Sequence, residues 1–169
     1  GFVKVPTSEE VILSIGDISL PRWSYAASKI AGEAAVLGAA KEGGLVPVVV
    51  RFHNVYGPRM PQTHVIPELH ERCRKEVDPF PLYGSDQTRS FLYVEDAARA
   101  LLLLLGAARA GAGGVYNVGS AVETRILDLA RMVFDVTGHH PQLDPRPAPP
   151  GSVARRVPDI QKLAALGFA

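Results

Sequence analysis

Cysteine and net charge are both scarce in this sequence of 169 residues. Its single cysteine, Cys73, cannot form an intrachain disulfide, and no group of Cys and His has the spacing of metal ligands. We therefore expect a reducing compartment and a protein without a metal. The net charge is +1, and no block of Lys and Arg gives the electrostatic footprint of a nucleic-acid-binding protein. Binding to nucleic acid is disfavoured.

Long apolar runs and a secretory leader are also missing. The run LLLLLG at 101–106 is too short to span a bilayer. Residues 1–4 lack the charged, apolar and cleavage regions of a signal peptide. We expect no membrane segment and, by elimination, a cytoplasmic location.

A glycine-rich dinucleotide turn is absent as well. No GxGxxG precedes a strand-helix unit here, and the glycines at 111–114 come before a predicted strand. What is present is a chain with 47% hydrophobic residues, long enough for one ordinary domain with a real core.

Hydrophobic periodicity predicts an α/β protein. Apolar residues from 25 to 40 recur at helical spacing up to Gly43-Gly44, and VPVVVRF at 46–52 has the composition of a strand buried on both faces of a parallel sheet. The second half predicts helices over 65–75, 95–108 and 126–136, the last capped by Thr124, and strands in PLYG, SFLYV and VYNVG. The proline-rich segment 145–152 is predicted to be a loop.

Tyr25 and Lys29 form a pair within the first predicted helix. Residues four apart share a helix face, so both side chains can point into one cleft. A phenol has a reference pKa of about 10, and a neighbouring ammonium favours the phenolate, which can act as a general base. Taken alone, the pair is more often a half-buried core tyrosine beside a solvated lysine.

Five blocks in order change that balance: SYAASK, RFHNVYGPRM, GSDQTRSFLYVEDAARAL, YNVGSAVETRILDLA and RRVPDIQKLAALGF. Together they resemble the extended short-chain dehydrogenase/reductase family of NDP-sugar epimerases, dehydratases and decarboxylases. The resemblance implies the C-terminal part of a Rossmann-type doubly wound parallel sheet plus a small α/β substrate-binding domain. Residues 1–60 would belong to the NAD-binding Rossmann domain, without its glycine-rich N-terminal half. Residues 61–169 would mainly bind the nucleotide sugar, with some segments returning to the Rossmann sheet.

The resemblance also implies roles for individual residues. Tyr25 matches the base that takes the sugar hydroxyl proton, and Lys29 the lysine that assists it and holds the nicotinamide ribose. Asn54 matches an asparagine that contacts the sugar diphosphate, and Arg89 an arginine that clamps the phosphates. Tyr83 matches a position that lines the nucleotide pocket. An arginine suits phosphate because its planar fork donates two hydrogen bonds.

Arg156 matches an arginine of the UDP-glucuronate decarboxylase branch that approaches the acidic end of the substrate, and GPRM at 57–60 points the same way. The sequence departs from the family where PPGS replaces Pro-Gly-Asp, so that a phosphate-facing arginine of some epimerases falls near Pro149. The nearby Arg146 either substitutes for that arginine or is simply solvated.

The predicted function is an NAD-dependent NDP-sugar 4-epimerase that works through a 4-keto intermediate on UDP-glucuronate or UDP-glucose. The alternatives are a UDP-glucuronate decarboxylase, an NDP-sugar 4,6-dehydratase, and a non-catalytic module that binds a nucleotide sugar or NAD. The resemblance further implies a homodimer and a tight complex with the N-terminal half, supplied by another chain or lost.

Several polar residues have simpler explanations. Residues 7–10, TSEE, imitate the family's hydroxyl cluster but are predicted to be a surface loop, since that cluster lies farther upstream. His53 and His64 bracket the presumed cleft, where histidines more often make structural hydrogen bonds. Asp96 is predicted to favour the dipole at a helix N-terminus.

Overall fold

The structure, a computed structural model, describes residues 4–19 and 21–169, with the side chains of residues 21 and 22 left out. The helices are α1 (Pro21–Gly43), α2 (Val65–Arg74), α3 (Val94–Arg109), α4 (Ile126–Thr137) and α5 (Gln161–Ala164). The strands are β1 (Val48–Phe52), β2 (Val55–Tyr56), β3 (Phe80–Tyr83), β4 (Thr88–Arg89), β5 (Leu92–Tyr93), β6 (Gly114–Val118), β7 (Thr124–Arg125), β8 (Leu143–Arg146) and β9 (Arg155–Arg156).

A parallel pair of strands, β1 and β6, forms one centre of the fold. They run in register from Val48 opposite Gly114 to Phe52 opposite Val118, which confirms the parallel strand predicted from VPVVVRF. The predicted burial on both faces is not found, because the strand is only partly buried and Phe52 is 49% exposed. Val48 and Val50 pack against a buried cluster to which α3, β6 and α5 contribute. Thus a strand from the second half of the chain returns to the sheet that the first half begins. The boundary at residue 60 stays a prediction.

A second centre lies between α2 and α4, over the parallel pair β3 and β8. Its fully buried aromatic residue is Phe80, whose ring meets Phe134 edge-on at 5.0 Å between centroids. Leu69 and Cys73 of α2 complete this core, so the thiol serves packing, as a small apolar group does.

The third unit is a small sheet with the strand order β7-β4-β9. Arg89 lies opposite Thr124 on one side and Arg156 on the other, while Thr88 lies opposite Arg125 and Arg155. Residues paired across a sheet point to the same face, and successive residues alternate. Arg89 and Arg156 therefore share one face, and Thr88 and Arg155 share the other.

Three local predictions were wrong. Thr124 does not cap α4, because it belongs to β7 and the N-cap residue is Arg125, which makes no side-chain cap bond. The backbone supplies the cap instead, since Ile126 N donates to the carbonyl of Gln87 at 2.9 Å and Leu127 N to that of Ser85 at 3.0 Å.

Residues 145–152 are not all loop, because Pro145 and Arg146 lie in β8. The backbone bonds of β8 to β3 come from even-numbered residues, with Phe80 N donating to Gln142 O and Gly84 N to Arg146 O. The backbone of Pro145 points away from β3. The N–H that proline lacks would therefore not have formed a hydrogen bond to that strand.

The segment at residues 7–10 is not a free surface loop either. Thr7 forms a parallel bridge with Pro158, and its carbonyl accepts from Asn117 Nδ2 at 2.9 Å. Glu9 Oε1 accepts from the Asn117 backbone N–H at 2.9 Å. Polar residues that favour turns can equally satisfy the backbone at the end of a strand, and here they do so beside β6.

Across the part of the chain that the structure describes, no helix is long and apolar enough to cross a membrane. Within residues 4–19 and 21–169, no group of three or more His, Cys, Asp or Glu side chains is placed to hold a metal ion.

Candidate active site

Tyr25 and Lys29 lie together on α1, as their spacing predicts. The Lys29 Nζ is 5.3 Å from the centroid of the Tyr25 ring. Tyr25 is 68% exposed, so its hydroxyl is not buried as a core tyrosine would be. It borders a cavity of about 640 Å³ at the carboxyl end of β1, whose wall also contains Phe52, Asn54, Met60, His64, Val94 and Leu101. Tyr25 thus borders a solvent-accessible cleft, and the Lys29 ammonium lies beside its ring.

Asn54 reaches the same cleft from the residue pair that follows β1. Its backbone is left-handed, with φ of 42°, a conformation that asparagine tolerates better than most residues. Two hydrogen bonds hold it there: its carbonyl accepts from Leu92 N at 3.2 Å, and its Nδ2 donates to Ser90 O at 2.8 Å. Ser90 directly follows Arg89 of β4. The Asn54–Ser90 hydrogen bond therefore connects the cleft beside Tyr25 to the strand that carries Arg89.

Arg89 and Arg156 form a pair of cations on one face of the small sheet. Arg89 donates to the carbonyl of Thr88 at 2.7 Å and to Gln87 Oε1 at 2.9 Å, both neutral acceptors. Among the described residues, neither arginine has an ion pair with a carboxylate. Burial, and then the charge of Arg156, lower the pKa of Arg89. An anion bound between the two would relieve that repulsion.

Arg155, the immediate neighbour of Arg156, is neutralised on the opposite face. Its guanidinium donates to both Glu123 oxygens at 2.7 Å, and Thr88 Oγ1 donates to the same carboxylate. These hydrogen bonds lower the pKa of Glu123 to about 2. The alternation of the strand therefore separates one compensated arginine from one that is free to bind an anion.

Tyr83 and Arg146 lie elsewhere, at the ends of β3 and β8, where they are in register. Tyr83 is 56% exposed. Arg146 donates to Asp144 Oδ2 at 2.8 Å, and this carboxylate raises the pKa of Arg146. An arginine paired in this way is a poorer phosphate ligand than Arg89.

His53 and Asp96 behave as their simpler explanations predict, whereas His64 makes no side-chain cap bond and lines the Tyr25 cleft. His53 Nε2 lies 3.4 Å from Asn117 Oδ1, and burial lowers the pKa of His53 more strongly than this hydrogen bond raises it. His64 is an exposed N-cap residue of α2 without a side-chain cap bond. Asp96 lies in the first turn of α3 and pairs with Arg99 at 2.6 Å.

Sequence reasoning missed three polar residues that hold this cleft together: Glu33, Arg51 and Asn117. Arg51 forms an ion pair with Glu33 of α1. Asn117 is buried, and its Nδ2 donates to the carbonyls of Thr7 and Asp159 at 2.9 and 3.0 Å. Glu33 carried a signal, because it continues the spacing of four from Tyr25 and Lys29. The other two partners depend on tertiary contacts that no local pattern shows.

Parallel strand pairs with helices between and after them define an α/β protein of Rossmann type. Residues 4–119 match the NAD dependent epimerase/dehydratase family, which is more than half of the chain. The chain belongs to this family, and the predicted fold class and family are confirmed.

Three relatives show the range of the family. The UDP-N-acetyl-alpha-D-glucosaminuronate decarboxylase of Bacillus cytotoxicus is 34% identical over 94% of this chain and 51% of its own length. The dTDP-glucose 4,6-dehydratase of an Actinoplanes species is 36% identical over 70% of this chain and 36% of its own. The crystal structure of Thermus thermophilus UDP-glucose 4-epimerase in complex with NAD superposes with a TM-score of 0.74 and 30% identity, over 92% of this chain and 52% of the other. The chain spans about half the length of the first and third of these relatives.

Proposed function

We propose that the chain provides the catalytic base and the nucleotide-sugar site of an NAD-dependent NDP-sugar 4-epimerase, acting on UDP-glucuronate or UDP-glucose. The observation that carries the proposal is the position of Tyr25: exposed, beside Lys29, at a cleft that also contains Asn54. A scaffold that only binds nucleotides has no need for this pair, which disfavours the non-catalytic alternative.

Tyr25 takes the proton from the sugar 4-hydroxyl. The Lys29 ammonium lies beside the ring, 5.3 Å from its centroid, and offers N–H donors to a ribose. Tyr25 and Lys29 would hold the nicotinamide ribose of NAD, which would supply the hydride acceptor for C4 and the hydride donor for the other face of the 4-keto sugar. The Tyr25–Lys29 face fits a dinucleotide, since both residues are exposed and neither belongs to the core. Tyr25 then returns the proton to the new hydroxyl, so the base ends unchanged.

Arg89 and Arg156 bind the anionic groups of the substrate. They share one face, lack carboxylate partners in the described chain, and continue from the cleft through the Asn54–Ser90 hydrogen bond. Arg89 takes the diphosphate and Arg156 the uronate carboxylate. Tyr83, at the end of β3, is assigned to the nucleotide pocket by the family resemblance alone.

A uronate decarboxylase is the second candidate. The Bacillus cytotoxicus relative carries that name and acts on an acidic sugar. A decarboxylase and an epimerase share the first step, the oxidation of C4 with Tyr25 as the base and NAD as the hydride acceptor. They diverge at the 4-keto-uronate, which either loses CO₂ or is reduced again. A 4,6-dehydratase shares the same step, as the Actinoplanes relative illustrates.

The proposed enzyme also needs a glycine-rich NAD-binding half, in the same chain or a second one. The outer surface of α3 offers apolar side chains for that contact, including Leu102 and Leu105. Covering several hundred Å² of apolar surface at about 25 cal/mol per Å² stabilises by many kcal/mol. The homodimer and the cytoplasmic location stay predictions.

The test is product analysis with the full protein that carries this chain, supplied with NAD and either UDP-glucuronate or UDP-glucose. We expect UDP-galacturonate or UDP-galactose. Release of CO₂ with a UDP-pentose would favour the decarboxylase, and a 4-keto-6-deoxy product the dehydratase. No conversion of any NDP-sugar in the presence of NAD would overturn the proposal.

The role of Arg156 has its own test. A guanidinium facing the uronate should make kcat/KM higher for UDP-glucuronate than for UDP-glucose by about tenfold to a hundredfold, since a hydrogen bond to a charged group contributes about 1.5–3 kcal/mol. Arg156→Ala should remove most of this preference and leave UDP-glucose turnover intact. The matched control Arg155→Ala should leave the preference unchanged. Parallel losses for both sugars in Arg156→Ala would show diphosphate binding instead.

A further inference from the structure

Helix α1 carries the proposed base, yet it has few buried contacts with the rest of the chain. Of its side chains that the structure describes, only Ala40 is buried. Its active face consists of Tyr25, Lys29 and Glu33, spaced four apart. Eight residues of helix separate Tyr25 from Glu33, or about 12 Å along the axis. What holds Glu33 therefore sets where Tyr25 lies above the sheet.

Arg51 of β1 holds Glu33 through two hydrogen bonds. Its Nε donates to Glu33 Oε2 at 3.1 Å, and Nη2 donates to Glu33 Oε1. Both side chains are largely buried, at 19% and 14% exposure. A bidentate pair of this kind fixes direction as well as distance, because the guanidinium fork and the carboxylate are both planar. Among residues 4–19 and 23–169, no other ion pair joins α1 to a different element.

The same guanidinium also holds the segment that precedes α1. Arg51 Nη1 donates to the carbonyl of Glu9 at 2.8 Å, and the Glu9 side chain accepts from the backbone of Asn117 in β6. One arginine thus joins β1, α1 and the segment at residues 7–10. It directly precedes Phe52, which borders the cleft with Tyr25.

We propose that Arg51 and Glu33 are positioning residues that fix the Tyr25–Lys29 face of α1 over the carboxyl end of β1, so that the base meets the substrate in the productive geometry. This inference rests on the proposed function of Tyr25, and it adds residues that touch neither substrate nor cofactor. Val48 and Val50 pack on the α3 side of β1, and Arg51 reaches α1 on the other side. Losing the pair would leave the strand packed and α1 free to shift.

The test compares Glu33→Gln and Arg51→Gln with Asp128→Asn in the full protein. Asp128→Asn removes the exposed ion pair between Asp128 of α4 and Arg125, and it serves as the matched control. The first readout is hydrogen exchange of the α1 amides, which needs no activity. We expect faster exchange across residues 25–36 in both test variants and an unchanged exchange rate in the control. Unchanged exchange in α1 would overturn the anchor.

The second readout is the rate of NAD reduction on adding the UDP-sugar, measured together with the affinity for UDP. A displacement of about 1 Å can cost about a hundredfold in rate, so we expect losses of at least about tenfold with unchanged UDP affinity. A loss of UDP affinity equal to the loss of rate would mean a merely structural role.

Charge reversal gives the rescue. The double variant Glu33→Arg/Arg51→Glu should recover part of the rate and the slow exchange of α1 relative to either single reversal, whereas a double variant no better than the singles would contradict the pair. If the wild type shows no sugar-dependent reduction of NAD at all, the proposed function fails, and the exchange experiment still decides whether the anchor exists.

Discussion

The two hydrophobic centres of the molecule are built differently. The centre between α2 and α4 is closed: Phe80 and Leu69 are at 0% and 1% exposure, and Arg72 covers the Phe80 ring at 3.9 Å from the guanidinium carbon to the centroid. The centre around β1 and β6 is closed only towards α3 and α5. On its other side, α1 is held mainly by the polar network around Arg51.

This difference corresponds to a division of roles. The closed centre supports β3 and the end of the small β7-β4-β9 sheet. In our proposal these two parts bind the nucleotide. The open centre carries Tyr25 and Lys29, which perform the chemistry. Hydrogen bonds to a few partners can set the orientation of a helix. A packed core fixes only the helices and strands that it contacts. The following changes test that division.

The largest expected effect on stability is in the closed centre. Phe80→Ala should lower the free energy of unfolding by about 3–5 kcal/mol, because it leaves a cavity beneath Arg72 and Phe134. The matched change on the open side, Val36→Ala, should cost under about 0.5 kcal/mol, since Val36 is 47% exposed. Denaturant unfolding of the full protein measures both. Equal costs would mean that α1 is packed as tightly as α2.

The next effect concerns the two faces of the small sheet. Arg89→Ala should weaken UDP binding by about 1.5–3 kcal/mol, about tenfold to a hundredfold in Kd. Arg155→Ala should change it little, because Arg155 is already neutralised by Glu123. Calorimetric titration with UDP measures both variants. A large loss in Arg155→Ala with a small loss in Arg89→Ala would place the anion on the wrong face.

The smallest effect is a pH dependence from His53. Burial lowers the pKa of this imidazole in the folded state, so the unfolded chain takes up its proton first as the pH falls. The stability associated with neutral His53 is present above its ordinary pKa of about 6.5 and is lost as the pH falls through the lower folded value. His53→Gln should therefore reduce the drop in Tm between neutral and acidic pH. An unchanged drop would assign it to other groups.

Local patterns predicted the parts of the molecule that local forces determine. The helices at α1, α2, α3 and α4 and the strand β1 follow from periodicity, and the Tyr25–Lys29 contact follows from helix geometry alone. The resemblance supplied the fold class. Its assignments for Asn54, Tyr83, Arg89 and Arg156 stay predictions. The geometry supports those for Asn54, Arg89 and Arg156.

The rest depended on contacts between distant residues. Backbone carbonyls of Ser85 and Gln87 replaced the expected Thr124 cap, and β3 drew Pro145 into a strand. The separation of Arg155 from Arg156 follows from the pairing of β9 with β4, which the sequence Arg-Arg does not indicate. Arg51 looked like a strand residue, and only the fold brings Glu33 and Glu9 to it.

The most direct test of the account is reduction of bound NAD by a UDP-sugar in the full protein, compared between the wild type, Tyr25→Phe and the control Tyr116→Phe. Loss of a general base costs about a hundredfold to ten-thousandfold. We therefore expect the NADH absorbance to develop in the wild type and the control, and to slow by that factor in Tyr25→Phe with UDP affinity unchanged. Tyr25→Phe reducing NAD at a near-normal rate would contradict the assignment of Tyr25 as the base.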